Sequence, residues 1–180
     1  MKFFKKDWIQ ESDLTNRKDL LKYWINPYDK KKVNQDSYLL ESDKNERMDI
    51  VGESFYQKTF IKLFGKHTED GCHEYTTAIL FPQPNNEHDE YAVGVYLING
   101  QVGHLSRQDA YLIQEVLIRT MHQTQQLITI KAQAKGGWKR GVLGRDKGDF
   151  GLELCIGKHE LIQELENIKN DPKEQYKPKK

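Results

Sequence analysis

The feature that most restricts the fold is the pair Asn99-Gly100, set between the β-forming run Tyr91–Ile98 and the run Gln101–Leu105. Asn-Gly between two such runs is the standard signal of a two-residue hairpin, because the turn needs positive φ at its centre. An antiparallel hairpin therefore stands in mid-chain, and the rest must pack around it. Further short strand patterns flank it: Ile50–Phe55, His73–Phe81 with Tyr75, Thr77 and Ile79 on one face, Leu127–Lys135, and Phe150–Ile156. The stretch Tyr56–Gly71 crosses over without a clear period, and Gly136-Gly137 reads as a turn. Just after the hairpin, Ser106 with Asp109 three residues on forms a helix-capping box. Ala110, Ile113, Leu117 and Met121 then recur at helical spacing as a core-facing stripe. Many short strands around one such helix predict an α+β domain, a small, partly open, OB/SH3-like β-barrel with the helix packed across it.

The ends differ in texture. In residues 1–47, Phe3, Phe4, Trp8 and Ile9 form an apolar patch and a helix is expected over Thr15–Trp24, ended by Asn26-Pro27, with Asp36–Arg47 as loop. The expected organisation is an N-terminal helical and loop extension (1–47), the barrel domain (48–157), and a C-terminal helix over Glu160–Ile168 followed by a charged tail (158–180). The mean hydropathy of −0.83 and a net charge of +1 mark a polar chain with no global field to attract nucleic acid, so any anion site must be a local patch. No run is long and apolar enough to span a membrane, and Met1–Asp7 is too polar to open a signal peptide. Two cysteines, Cys72 and Cys155, suit a reducing, cytoplasmic setting better than a disulfide framework.

Between two apolar runs lies Pro84-Asn85-Asn86-Glu87-His88-Asp89-Glu90, a short polar loop mounted on strands. Such loops carry chemistry while strands hold it in place, although Pro, Asn and Asp also form turns for purely local reasons. Catalysis is not expected. The nearest carboxylates, Glu87, Asp89 and Glu90, do not share one face of a strand, and no phosphate-cradling Gly-x-x-x-x-Gly-Lys-Ser/Thr occurs. His67, Cys72, His73 and His88 lack metal-ligand spacing, so neither a metal nor a cofactor is expected.

Three pieces in order resemble the HIRAN domain family. They are Val51-Gly52 with Phe55-Tyr56, then Pro84 to Val93, then Val102-Gly103-His104-Leu105 ahead of a helix, and the likeness runs from about Met48 to Gly157. The resemblance implies a module that recognises single-stranded DNA, specifically a strand ending in a free 3′-hydroxyl, in DNA repair or replication and beside a separate helicase or nuclease. On the matching positions, Asp89 is the acceptor-only group suited to a terminal hydroxyl, and it would repel a terminal phosphate. Asn85 and Asn86 offer amide donors, Phe55 and Tyr56 flat faces for bases, and His104 and Arg107 donors for phosphates.

Each role has a structural counterpart. Phe55 fits a strand's core face with Tyr56 turned outward, unless the strand ends or bulges there. Asp89 fits an Asx-turn, and His104 a satisfied, partly buried histidine. The chain also departs from the family pattern: Ser54 stands where an Arg can precede the aromatic pair, and His88 where a tyrosine often precedes the Asp. Trp138, in Gly136–Gly141 beside Lys139 and Arg140, aligns only loosely with a family aromatic and reads equally as a stacking loop or a half-buried turn. Two other classes stay open: a protein-interaction domain of the same fold without DNA binding, and a metal-dependent nuclease.

Overall fold

The computed structural model describes residues 37–40, 42, 44–84, 86–124 and 126–170. The helix expected over Thr15–Trp24, the apolar patch near the start, Asn85 and the charged tail lie outside the described residues. Strands are β1 (Ser37–Leu40), β2 (Met48–Val51), β3 (Tyr75–Pro82), β4 (Val93–Leu97), β5 (Gly100–Leu105), β6 (Leu127–Gly136), β7 (Lys139–Arg140), β8 (Asp146–Lys147) and β9 (Phe150–Leu154). Helices are α1 (Gln57–Phe64), α2 (Arg107–Thr124) and α3 (Lys158–Asn170).

The order β6-β3-β4-β5-β2-β9 closes on itself, because β9 pairs back onto β6 from Ala132↔Leu154 to Gly136↔Phe150. All six neighbours run antiparallel, giving a small closed barrel in an α+β domain. The ring is thinnest at β2. Its first two residues pair with β9 (Met48↔Leu154, Asp49↔Glu153) and its last two with β5 (Ile50↔Leu105, Val51↔His104). β1 adds to the free side of β6 in parallel, Ser37↔Leu127 to Leu40↔Ile130, so residues expected as loop supply a strand outside the ring.

α2 covers the barrel. Ala110, Ile113, Leu117 and Met121 are all buried, and α3 packs onto α2 through Leu161, Leu165 and Ile168. β3 and the first half of β6 are buried on both faces, where the sequence pattern pointed to strands alternating between two faces. The α2 cap forms as the spacing predicts. Ser106 Oγ accepts from the Asp109 amide at 3.2 Å and donates to Asp109 Oδ2 at 2.7 Å, while Lys158 Nζ from α3 reaches Asp109 Oδ1 at 3.1 Å.

Three further elements differ from the sequence expectation. The β4–β5 turn centres on Ile98-Asn99, with Leu97↔Gly100 as the last pair, and the ladder slips by one between Val95 and Tyr96. Gly100 thus supplies its positive φ of 130° as a strand residue. The crossover after Tyr56 contains α1, whose Phe60 is buried and stacks on Phe150 with centroids 6.0 Å apart. The β2 strand ends at Val51, where Gly52 takes the left-handed conformation (φ 82°) and launches a 3-10 turn over Glu53–Tyr56. Both aromatics of the Phe55-Tyr56 pair therefore ride on a turn, not on alternating faces of a strand.

Candidate functional site

The loop between β3 and β4 is built from successive turns. The Gln83 amide donates to Ala92 O (2.8 Å) and closes the neck; Asn86 N–H donates to Gln83 O (3.0 Å), Asp89 N–H to Asn86 O (3.3 Å) and Ala92 N–H to Asp89 O (3.0 Å). Side chains repeat the pattern, since Asn86 Oδ1 accepts from the His88 amide at 2.9 Å and Asp89 Oδ1 from the Tyr91 amide at 3.0 Å. These are Asx-turns, so the local role open to Asp89 is present. From α2, the buried Gln114 donates its amide to Glu90 O (2.9 Å) and Ala92 O (3.1 Å), which ties the loop to the helix.

That leaves the second oxygen of Asp89. Oδ2 lies 3.4 Å from Arg107 Nε, in a pair whose side chains are 18% and 78% exposed. An ion pair with so exposed a partner stabilises little and opens readily. Arg107 is the first residue of α2, so the cation stands at the helix start beside the carboxylate.

Under the loop runs a hydrogen-bonded chain of side chains. Gln83 Nε2 donates to Tyr96 Oη (3.0 Å), Tyr96 O–H donates to Gln101 Oε1 (2.9 Å), and Gln101 Nε2 donates to Gly103 O (3.2 Å). The same Gln101 Nε2 stands 2.8 Å from His104 Nε2. His104 Nε2 accepts from Gln101 Nε2 in one tautomer and donates to Gln83 Oε1 in the other. Gln83 Oε1 accepts from Asn86 Nδ2 at 3.1 Å and lies 3.2 Å from His104 Nε2. Gly94 makes the room: a Cβ there would sit 2.5 Å from Gln83 Nε2. His104 is thus the partly buried, satisfied histidine of the structural reading, and its ring also meets Tyr56 at a centroid distance of 6.3 Å, tilted 55°.

Tyr56, His104, Asn86, Asp89 and Arg107 therefore form one contiguous cluster at one rim of the barrel, linked through Gln83. Phe55 precedes Tyr56 on the same turn and is 87% exposed, while Tyr56 is half-buried, the reverse of a core Phe55 with an outward Tyr56. Trp138 stands apart. It is half-buried, bridges Thr68, and its indole lies against Gly148 with the Arg140 guanidinium 5.4 Å from the ring centroid. No hydrogen bond, ion pair or ring contact joins it to the cluster among the described residues.

The sequence reading missed Gln83, Tyr96, Gln101 and Gln114. Two of them carried a signal. Gln83 is a polar residue between Pro82 and Pro84 at the end of an apolar run, and Gln114 falls on the apolar stripe of α2, four residues after Ala110. A polar side chain forced into a core position needs a buried partner.

A shallow cleft of about 350 Å³ opens at the start of the turn that carries Phe55, lined by Gly52, Glu53, Ser54, Lys135, Gly136 and Asp149–Gly151. Burial pushes the Glu53 carboxyl above its ordinary range, against backbone hydrogen bonds that lower it. Lys135 Nζ pairs with Asp49 (2.8 Å) and Glu153 (2.9 Å), and those bonds hold its ammonium above its usual value. Cys72 and Cys155 are free thiols pushed up by burial. No group of three or more His, Cys, Asp or Glu with metal-holding geometry occurs among the described residues, and no helix among them is long and apolar enough to cross a membrane.

Among solved structures, the chain is similar to the crystal structure of the HIRAN domain of human HLTF. The TM-score is 0.32 and the identity 17%, over 74% of this chain and 92% of that chain. No family model and no curated protein matches.

Proposed function

We propose that this chain is a binding module, not an enzyme, which takes single-stranded DNA by a free 3′-hydroxyl end and serves DNA repair or replication beside a separate helicase or nuclease. The observation that carries this reading is Phe55, 87% exposed on the turn that also carries Tyr56 of the cluster with His104, Asn86, Asp89 and Arg107. An apolar ring held in water costs free energy that a stacked base recovers. Asp89 is suited to the strand end. One oxygen is engaged in the turn, and the other accepts a terminal hydroxyl once Arg107 swings from it to a phosphate. A 3′-phosphate in that place meets the carboxylate's charge at close range. The likeness of the Val51–Tyr56, Pro84–Val93 and Val102–Leu105 motifs to the HIRAN family supports the same reading. The interaction-domain reading rests on the same exposed ring and on the near-neutral charge.

The test is fluorescence anisotropy with a labelled short strand ending in a 3′-hydroxyl or a 3′-phosphate, at low salt. Asp89→Asn keeps an oxygen for the Tyr91 amide and so keeps the turn; it should lose the preference for the hydroxyl. Phe55→Ala should weaken binding of the hydroxyl strand by about 1–3 kcal/mol, the usual contribution of one stacked base. Equal binding of both strands by the wild type removes end recognition, and binding of neither leaves the interaction domain. Divalent-dependent cleavage that Asp89→Asn abolishes would instead make the chain a nuclease.

A further inference from the structure

The small hairpin β7–β8 projects from the barrel between the end of β6 and the start of β9. Its base is firmly tied: Lys139 N–H donates to Thr68 O at 2.8 Å, Gly148 N–H to Trp138 O at 3.0 Å, and Arg140 Nε to Glu69 O at 3.2 Å. Its tip is another matter. Val142 and Leu143 are 80% and 84% exposed, and Leu143 holds φ 59°, the one non-glycine residue with positive φ among the described residues. Two aliphatic side chains kept in water, one of them on a disfavoured backbone, stabilise nothing in the free protein.

The legs carry a second anomaly. In the ladder Lys139 stands directly opposite Lys147, a like-charged pair that weakens an isolated hairpin, while Arg140 faces Asp146. Four cations against Asp146 give residues 139–147 a net charge of +3, in a chain whose total is +1. Lys139, Arg145 and Lys147 make no ion pair among the described residues. The cleft is lined on one side by Gly52, Glu53 and Ser54, from the turn that carries Phe55, and on the other by Lys135, Gly136 and Asp149–Gly151, where the chain leaves for the hairpin and returns from it.

We propose that the β7–β8 hairpin is a second contact for the same DNA strand, with Lys139 and Lys147 gripping phosphates on the 5′ side of the end site and Val142 and Leu143 packing against sugars and bases. The inference rests on the strand-end reading above. The acids nearby set its limits: Asp146 stands opposite Arg140 in the ladder, and Glu53 and Asp149 border the cleft, so the strand crosses there with bases or sugars inward and phosphates outward. A lipid surface also takes an apolar tip between cations. The continuity with the cleft and Phe55 favours DNA.

Two 3′-hydroxyl strands decide the matter, one of about 3 and one of about 12 nucleotides, the longer within the span of about 4–16 that such platforms cover. Lys139→Ala with Lys147→Ala should leave the short strand and the hydroxyl preference unchanged and weaken the long one. Its salt slope should fall by about 1.4, at about 0.7 per phosphate contact, so raising salt from about 50 to about 200 mM costs the variant about sevenfold less affinity than wild type. Val142→Ser with Leu143→Ser should also weaken only the long strand. Hydroxyl-selective binding with no difference between lengths or variants overturns this inference alone, and so does tip-dependent binding to phosphatidylserine vesicles with the long strand unaffected. Failure of the wild type to bind either strand overturns both readings.

Discussion

Gly94→Ala tests whether the buried side-chain chain under the loop holds the rim together. Gly94 has ordinary backbone angles, so the effect is purely steric. The new methyl would sit 2.5 Å from Gln83 Nε2 and 2.8 Å from Tyr96 Cε2, against an ordinary contact of about 3.5–4.0 Å. Gln83, 3% exposed, must move by about an ångström and leave Tyr96 Oη, which it now meets at 3.0 Å. Overpacking costs about 1–3 kcal/mol, and a buried polar group left without its bond costs about as much again. The sum, about 2–6 kcal/mol, should lower the melting temperature by roughly 5–20 °C in a protein of this size. The diagnostic is the cycle with Gln83→Ala, which vacates the space both for the methyl and for the Tyr96 ring to tilt. In that background Gly94→Ala should cost less than half of what it costs alone, read by urea unfolding of the four proteins. An equal cost in both backgrounds would mean that the methyl strikes something other than the Gln83 amide, and the proposed support of the rim would be wrong.

Three further outcomes follow from single residues. Thr77 Oγ1 is buried without a hydrogen-bond partner among the described residues, so Thr77→Val should stabilise by about 1 kcal/mol in denaturant titration, and a loss of stability would mean that the hydroxyl is satisfied. At the hairpin tip, Leu143→Gly relieves a positive φ and should raise the melting temperature slightly, while Val142→Gly next to it should lower it; shifts of the same sign would contradict the strain at Leu143. Burial keeps the Glu53 carboxyl above its ordinary 4.5, so the fold favours the protonated form; that stability is complete below pH 4.5 and is lost as pH rises through the folded value. Glu53→Gln should therefore be more stable than wild type at neutral pH and converge with it in acid, and parallel pH profiles would rule out burial as the cause.

Periodicity made some of this fold legible. The stripe Ala110-Ile113-Leu117-Met121, its Ser106 cap and the run of β3 each follow from local rules that the tertiary structure does not override. α1 is too short to impose a period over a long window, although Phe60, Leu63 and Phe64 do recur at helical spacing. β1 depends on a parallel partner nearly ninety residues later, which no local pattern announces. The hairpin turn slipped because Asn-Gly fixes where a turn lies only when the ladder is regular, and this one bulges after Val95. At the rim, Asn86, Asp89, His104 and Arg107 were readable as motif residues. Tyr96 and Gln101 were not, and Gln83 signalled only that a polar group was forced inward, because the partnership of the three exists only once β3, β4 and β5 are in register.

The divided pairing of β2 has a kinetic consequence. With two residues committed to each neighbour, β2 should have the lowest opening free energy of any stave, and its amides should exchange with solvent before those of β3, β4 or β6. Gly52 to Tyr56 follow directly, so Phe55 rides on the part of the ring that opens first. A ligand seated on Phe55 and Tyr56 would then act as a splint across the seam: occupancy of the rim would be written, at a distance from it, as slowed exchange at Met48 to Val51.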